Sequence, residues 1–214
     1  MVVLVDLALV FLALTGVLLL GSSRLVRCIR IVAFQGVLLG ALTLAVPPHA
    51  FTLRVLTLAV AIVALKGATF PWLLLRVLQE ANVRREVEPL VGYVSSMLAG
   101  TLGLAVAFWL SGRLPLPIPP ISQLVVPVAL FTTLVGLFLI VSRRTALTQV
   151  LAYLVLENGI YTFGIGLVEG TPMVVELGVL LDVFVAVFVM GIAIFHINRE
   201  FDHIDANQLA ALRD

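Results

Sequence analysis

Residues 2–21 read VVLVDLALVFLALTGVLLLG, with Asp6 as the only charged side chain in the stretch. A helix that crosses the hydrocarbon core of a bilayer needs about 20 mostly apolar residues. The apolar residues here do not alternate with polar ones, as they would in a strand of a membrane barrel. Backbone groups in lipid must be satisfied within their own segment, so the stretch predicts a transmembrane α-helix. No basic residue precedes it and no small-residue cleavage site follows it, so we expect a mature helix and not a signal peptide.

The whole chain has the same character. Hydrophobic residues make up 62% of its 214 residues and charged residues only 12%, whereas a soluble domain is roughly half apolar and about a quarter charged. Charges and clusters of proline or glycine divide the chain into seven apolar stretches, at about 2–21, 28–46, 54–77, 90–111, 121–142, 146–168 and 173–197. We therefore predict an all-α, polytopic membrane protein with about seven transmembrane helices, surrounded by membrane lipids.

The basic residues of the loops predict the orientation of these helices. Ten arginines follow the first, third, fifth and seventh stretches, whereas the intervening side holds only Arg54 and Arg113. Positively charged loops stay in the cytoplasm. This bias predicts an outer N-terminus and a cytoplasmic C-terminal tail over residues 198–214.

A shift of 119 residues brings the start of the chain onto its later part. Ser23-Arg24 then falls on Ser142-Arg143, Ala33-Phe34 on Ala152-Tyr153, and Gly40 on Gly159. The match indicates an internal repeat of two parallel three-helix units, of a kind common in transport proteins. The expected units are 1–89 and 121–197, joined by a connecting helix and a proline-rich outer loop over 90–120.

Three charged residues fall deep inside predicted helices, where charge is costly. Glu157 lies in the sixth stretch, Asp182 in the seventh and Lys66 in the third. A charged side chain at the bilayer centre costs roughly 2.5–3.5 kcal/mol on insertion scales, so each must face protein or water. One interpretation is a structural ion pair or a polar contact between helices. The other is a relay for protons or ions, with Lys66 either taking part or neutralising a partner.

Weaker candidates surround these three residues. Asp6 and Glu176 lie near the outer ends of their stretches, where they can be hydrated or can mark the mouth of an ion pathway. Gln35 and Asn158 are more typical of polar contacts between membrane helices than of ion binding. Pro71 is expected to break the third helix locally, just after Lys66, and to free backbone groups there.

Several functions find no support in the residues. The histidines His49, His196 and His203 fall at or beyond the ends of the stretches, so paired histidines for a b-type haem are missing. Cys28 is the single cysteine, which excludes an internal disulfide and a cysteine-ligated cluster. Phosphate-binding and hydrolase motifs are absent, and the net charge of +1 gives no reason to expect nucleic acid as a partner.

The last third of the sequence resembles a known pattern. A helix from Leu134 leads to Ser142-Arg143-Arg144, a second helix holds Leu156-Glu157, a third holds Asp182, and the tail contains Ile204-Asp205. This resembles the three-helix K subunit of bacterial complex I and the C subunit of multi-subunit cation/proton antiporters of the Mrp type. The resemblance implies a functional role for Glu157 and for a second acid. That acid is Asp182 or, because aligning the tails displaces Asp182 by about two residues, Glu176.

The longer form, with a tail of the type Asn198-Arg199-Glu200-Phe201-Asp202, resembles hydrogenase-4 component E. That family belongs to the membrane arms of group 4 nickel–iron hydrogenases, formate hydrogenlyases and related complexes. The resemblance implies antiporter-like membrane subunits and peripheral hydrogenase or iron–sulfur subunits as partners. It further implies a multi-pass protein of the cytoplasmic (inner) membrane of a prokaryote. It also implies that the redox cofactors reside in those partners and none in this chain.

Three functions are left open. The preferred one is a non-catalytic membrane subunit of a respiratory-type complex that helps to translocate protons or sodium through Glu157, Asp182, Lys66 and Glu176. The second is a purely structural anchor or connector of such a complex. The third is a transporter in its own right or a subunit of a multi-subunit cation/proton antiporter.

Overall fold

The computed structural model describes residues 2–45, 53–80, 90–116 and 120–167, together with Gly178 and Gly191. The regular elements of this part of the chain are helices: α1 (Val2–Leu20), α2 (Leu25–Ala45), α3 (Leu53–Ile62), a π-helix (Val63–Thr69), α4 (Phe70–Glu80), α5 (Tyr93–Ser111), α6 (Val125–Ser142) and α7 (Ala146–Leu167). The elements α3, the π-helix and α4 follow one another without interruption and form one long rod, the α3–α4 rod.

Five of these helices are long and apolar enough to span a membrane. They are Val2–Leu20, Leu25–Ala45, Val55–Gln79, Tyr93–Ser111 and Val125–Ser142. This confirms the prediction of a multi-pass, helical membrane protein. The sixth helix, α7, has 22 residues, which is enough to cross, but Gln149, Glu157 and Asn158 interrupt its apolar sequence.

Part of the predicted organisation lies outside the described residues. Of the predicted seventh helix, residues 173–197, the structure describes only Gly178 and Gly191, and it does not describe the tail, 198–214. The total of seven spans, their orientation, the internal repeat and the unit limits remain predictions.

The helix boundaries lie within about three residues of the predicted stretches, except at the start of the fifth stretch. The fifth stretch was expected to begin at residue 121, but α6 begins at Val125. The residues before it form a turn in which the backbone N–H of Leu124 donates to Ser122 Oγ at 3.1 Å. A hydroxyl that caps a turn in this way competes with helical hydrogen bonding, which explains the later start.

The expected break of the helix at Pro71 is wrong. The chain stays helical through Pro71, and the disturbance precedes it as the π-helix Val63–Thr69. Proline lacks the N–H that an α-helix would direct to the carbonyl of Gly67, and its ring crowds that carbonyl. The wider π turn accommodates the misfit inside the helix. Thr69 Oγ1 donates to the carbonyl oxygen of Ala64 at 2.9 Å, five residues earlier.

Among the described helices, α6 and α7 form the most extensive contact. Small residues let the two backbones approach each other. A Cβ added at Gly136 of α6 would overlap the backbone of Leu156, and one added at Gly159 of α7 would overlap Thr133. Close approach of this kind is how membrane helices gain packing energy where apolar burial gives no advantage over lipid. It also holds the α7 residues next to Leu156, among them Glu157, in a fixed position.

Arg143, in the turn between α6 and α7, is buried and not a solvated loop charge. It is 4% exposed, its Nη2 donates to the carbonyl oxygen of Leu20 at 3.1 Å, and its guanidinium lies 4.7 Å from the centroid of the Tyr93 ring. The side chain therefore joins the end of α1 to the start of α5. In contrast, α5 exposes most of its apolar surface and packs only through a few residues such as Ser96, Gly100 and Ala107.

Candidate functional site

Lys66 lies within the π-helix of the α3–α4 rod and is 5% exposed. The backbone of α2 passes directly beside it. A Cβ added at Gly36 would lie 2.6 Å from Lys66 Cβ, 2.7 Å from the Lys66 carbonyl carbon and 3.0 Å from Gly67 N. Only a glycine fits at such a distance. π-helical turns occur often at functional sites, and this one places the lysine inside the bundle.

The Lys66 ammonium pairs with Glu157 of α7. Lys66 Nζ lies 2.8 Å from Glu157 Oε1, and the two side chains are 5% and 4% exposed. Both residues fall near the middle of their helices, so the pair sits deep inside the membrane-spanning part. Glu157 Oε2 has no hydrogen-bond partner among the described residues.

Gly178, from the predicted seventh helix, lies next to this carboxylate. A Cβ added at Gly178 would be 3.7 Å from Glu157 Oε1 and 3.8 Å from a ring carbon of Tyr161. Glu176 and Asp182, the other two predicted site residues, lie outside the described residues. The structure therefore brings Lys66 and Glu157 together and leaves the assignment of the second acid as a prediction.

A chain of amide and hydroxyl groups extends from the ion pair toward α1. Lys66 Nζ donates to Asn158 Oδ1 at 3.2 Å, and Asn158 Nδ2 donates to Gln35 Oε1 at 3.1 Å. Gln35 Nε2 donates in turn to Thr15 Oγ1 at 3.0 Å, whose hydroxyl donates to the carbonyl oxygen of Leu12 at 2.7 Å. Asn158 is 1% exposed and Gln35 is 0% exposed. Gln35 and Asn158, which are predicted to make polar contacts between helices, thus belong to one hydrogen-bond network with the ion pair.

Tyr161 extends the cluster along α7. Its ring centroid is 5.9 Å from Lys66 Nζ, a distance at which a cation is attracted to an aromatic face. Its hydroxyl is 3.0 Å from Thr43 Oγ1 of α2. Thr43 Oγ1 also lies 2.8 Å from the carbonyl oxygen of Leu39, to which it donates. Sequence reasoning missed Tyr161 and Thr15; a buried tyrosine one helical turn from a buried acid was the signal for the first.

Asp6 belongs to a separate contact. The hydroxyl of Ser122, in the turn before α6, donates to Asp6 Oδ1, and Asp6 is partly exposed. This fits the hydrated position near a helix end that the sequence favoured for Asp6. In the described part of the chain, no group of three or more histidine, cysteine, aspartate or glutamate side chains could hold a metal ion.

Comparison with known proteins gives one relative over nearly the full length. The chain is 35% identical over 214 residues to the uncharacterized protein Rv0085 of Mycobacterium tuberculosis, and the match covers 99% of this chain and 97% of the relative. The chain belongs to the Rv0085 family. No family model matches the sequence, and no solved structure matches it.

Part of the chain is also similar to hydrogenase-4 component E. It is 34% identical over 120 residues to that protein from Escherichia coli K12, and the match covers 55% of this chain and 54% of the relative. The Shigella flexneri protein of the same name gives the same values. The match of this member of the Rv0085 family spans about half the length of hydrogenase-4 component E. The identity over that part confirms the predicted resemblance there. The resemblance to the K and C subunits stays a prediction.

Proposed function

We propose that this protein is a membrane subunit of a multi-subunit, hydrogenase-type complex and that it helps to translocate protons or sodium ions through the Lys66–Glu157 pair. The similarity to hydrogenase-4 component E over 120 residues supports membership in such a complex. The ion pair supports the translocation role. Asp182 and Glu176 are the candidates for the next group along the path, and antiporter-like and hydrogenase subunits are the expected partners.

The observation that carries the proposal is the buried ion pair itself. A salt bridge sealed from water stabilises little, because removing two charges from water costs about as much as their attraction returns. Charged pairs inside membrane helices are accordingly rare and mark ion or proton pathways. Here the lysine also sits on a π-helix, and one oxygen of Glu157 has no hydrogen-bond partner within the described part of the chain. Both features leave room for a proton or a cation to be exchanged at the carboxylate.

A neutral substitution at Glu157 tests the proposal in the assembled complex. Glu157→Gln keeps the size of the side chain and removes its charge. We expect a fall in coupled ion movement of about a hundredfold, the scale of a lost proton-transfer group, while electron transfer in detached catalytic subunits is unchanged. The measurement is ion uptake into sealed vesicles, driven by the redox reaction, with a pH-sensitive or sodium-sensitive dye.

The matched control removes a charge outside the cluster. Arg113 is exposed beyond the end of α5, and Arg113→Gln should leave ion uptake near the wild-type rate. Unchanged uptake in Glu157→Gln, in a complex of normal subunit content, would contradict the translocation role. The protein would then be a structural connector, in which the pair only joins the α3–α4 rod to α7.

A further inference from the structure

Arg143 is a buried cation to which no described acid is bound. Its guanidinium donates to the carbonyl oxygen of Leu20 through Nη2 and lies against the ring of Tyr93, and neither of these groups carries a charge. Nη1 has no hydrogen-bond partner among the described residues. Because a guanidinium keeps its proton in proteins, burial cannot neutralise it, and a buried charge is costly unless an opposite charge pairs with it. An anion beside Nη1 would remove that cost.

Arg143 lines a cavity at the end of the bundle where α1 ends and α2 and α7 begin. The cavity has a volume of about 30 Å³, which exceeds the roughly 10–15 Å³ that one water molecule requires. Three hydroxyl residues join the arginine in its lining, namely Ser22, Ser23 and Thr148. The cavity therefore has room beside the guanidinium for a group larger than one water molecule.

Two helices begin at this cavity. Helix α2 starts at Leu25, one of the lining residues, and Thr148 lies in the first turn of α7. The N–H groups of a first helical turn have no partner within the helix, and the helix dipole adds partial positive charge there. Exposed Arg24 and Arg27 at the start of α2 contribute further positive charge. Together with Arg143, these groups favour an anion at the cavity.

The rest of the cavity lining is apolar and includes Leu139, Leu151 and Val155. A free phosphate ion would lose its hydration against such walls without a polar replacement. A phospholipid joins a phosphate to apolar chains and so matches both parts of the lining. The cavity also lies at the helix ends that the loop arginines predict to be cytoplasmic, and the cytoplasmic leaflet carries the anionic lipids.

We propose that Arg143 and the starts of α2 and α7 bind the phosphate of an anionic phospholipid such as phosphatidylglycerol. Nη1 of Arg143 donates to a phosphate oxygen, and the aliphatic walls contact the apolar part of the lipid next to the head group. The negative charge of the lipid compensates the buried guanidinium. This site is separate from the Lys66–Glu157 pair, so the proposal does not depend on a role in ion translocation.

Thermal unfolding of the full chain in detergent micelles tests the site. A ligand that binds only the folded protein raises its Tm. Phosphatidylglycerol at about a hundred times its dissociation constant should raise Tm by about 5–10 °C for a chain of this length. Phosphatidylcholine with the same acyl chains has no net negative charge, and inorganic phosphate has no apolar part. At the same concentration, each of these two should raise Tm much less than phosphatidylglycerol does.

Substitution of the arginine should remove the preference between the two lipids. Arg143→Gln is expected to have the same Tm in phosphatidylglycerol as in phosphatidylcholine, because an amide supplies no charge. The matched control is Arg113→Gln, since the Arg113 guanidinium also lies against an aromatic ring, 4.2 Å from the centroid of Trp109, but does not line the cavity. Arg113→Gln should keep the full difference. Each variant is compared with itself in two lipids, so a general loss of stability in Arg143→Gln does not enter the result.

A second variant tests the site even if Arg143→Gln fails to fold. Ser23→Asp places a carboxylate in the cavity lining, just before α2, where negative charge is favourable for the helix. This carboxylate supplies the missing acid to Arg143 and repels the lipid phosphate. We expect Ser23→Asp to lose the stabilisation by phosphatidylglycerol. Ser23→Asn, of nearly the same size but neutral, should keep it.

Three results would overturn the assignment. The first is an equal Tm of the wild type in phosphatidylglycerol and phosphatidylcholine, which would mean that no anionic lipid binds. The second is a Tm rise with inorganic phosphate as large as that with phosphatidylglycerol, which would make the ligand a free anion. The third is an undiminished lipid preference in both Arg143→Gln and Ser23→Asp, or in whichever of them folds, which would place the bound lipid elsewhere on the protein.

Discussion

Replacing Lys66 with methionine is expected to destabilise the folded protein by about 3–5 kcal/mol, the range found when one partner of a buried ion pair is removed. Lys66 Nζ is 2.8 Å from Glu157 Oε1 with both side chains sealed from solvent, so water cannot replace the lost ammonium. The same substitution leaves Asn158 Oδ1 without its donor. Methionine fills much of the lysine stem's volume, so most of the loss is electrostatic. Reversible unfolding in mixed micelles measures it.

The control is the double variant Lys66→Met with Glu157→Gln. Removing both charges abolishes the unpaired carboxylate, and replacing a whole buried pair is often neutral in free energy. We expect the double variant to recover most of the stability that Lys66→Met loses. Costs that simply add in the double variant would show that Lys66 and Glu157 do not interact in the folded protein, and would remove the basis of the site.

The helices of this protein are predictable from the sequence because each depends on a local property. A bilayer requires about 20 apolar residues in helical conformation for every crossing, and charges mark where a crossing ends. Residues 2–21 and 28–46 accordingly match α1 and α2 within a few residues. The later start of α6 at Val125 escaped prediction because it depends on a single hydroxyl, that of Ser122.

The site is predictable only in part, because the partner of a charge depends on how helices pack. Burying the charges of Lys66 and Glu157 is costly, so the sequence indicates that each needs a partner. The two residues are 91 positions apart, however, and the sequence does not say which polar groups pair. The π-helix adds a second obstacle. Each residue of an α-helix advances the face by about 100°, so the wider π turns before Phe70 rotate the rest of the rod by an amount that α-helical periodicity cannot anticipate.

Gly36→Ala is expected to lower the free energy of unfolding by about 3 kcal/mol, at the upper end of the range for overpacked sites. The new methyl group would lie 2.7 Å from the Lys66 carbonyl carbon and 3.0 Å from Gly67 N. Those are backbone atoms of a rod that Phe70, Leu74 and Val77 of α4 hold in the core, so neither can move aside as a flexible side chain would. Unfolding in mixed micelles again gives the value.

The matched control is Gly103→Ala on α5, where an added Cβ meets nothing within 4 Å. Alanine exceeds glycine in helix propensity by about 1 kcal/mol, so this variant should be as stable as the wild type or slightly more so. The two substitutions are expected to change the free energy of unfolding in opposite directions because a neighbouring backbone lies against Gly36 and none lies against Gly103. If Gly36→Ala is instead as stable as Gly103→Ala, then α2 does not approach the π-helix as closely as the structure has it.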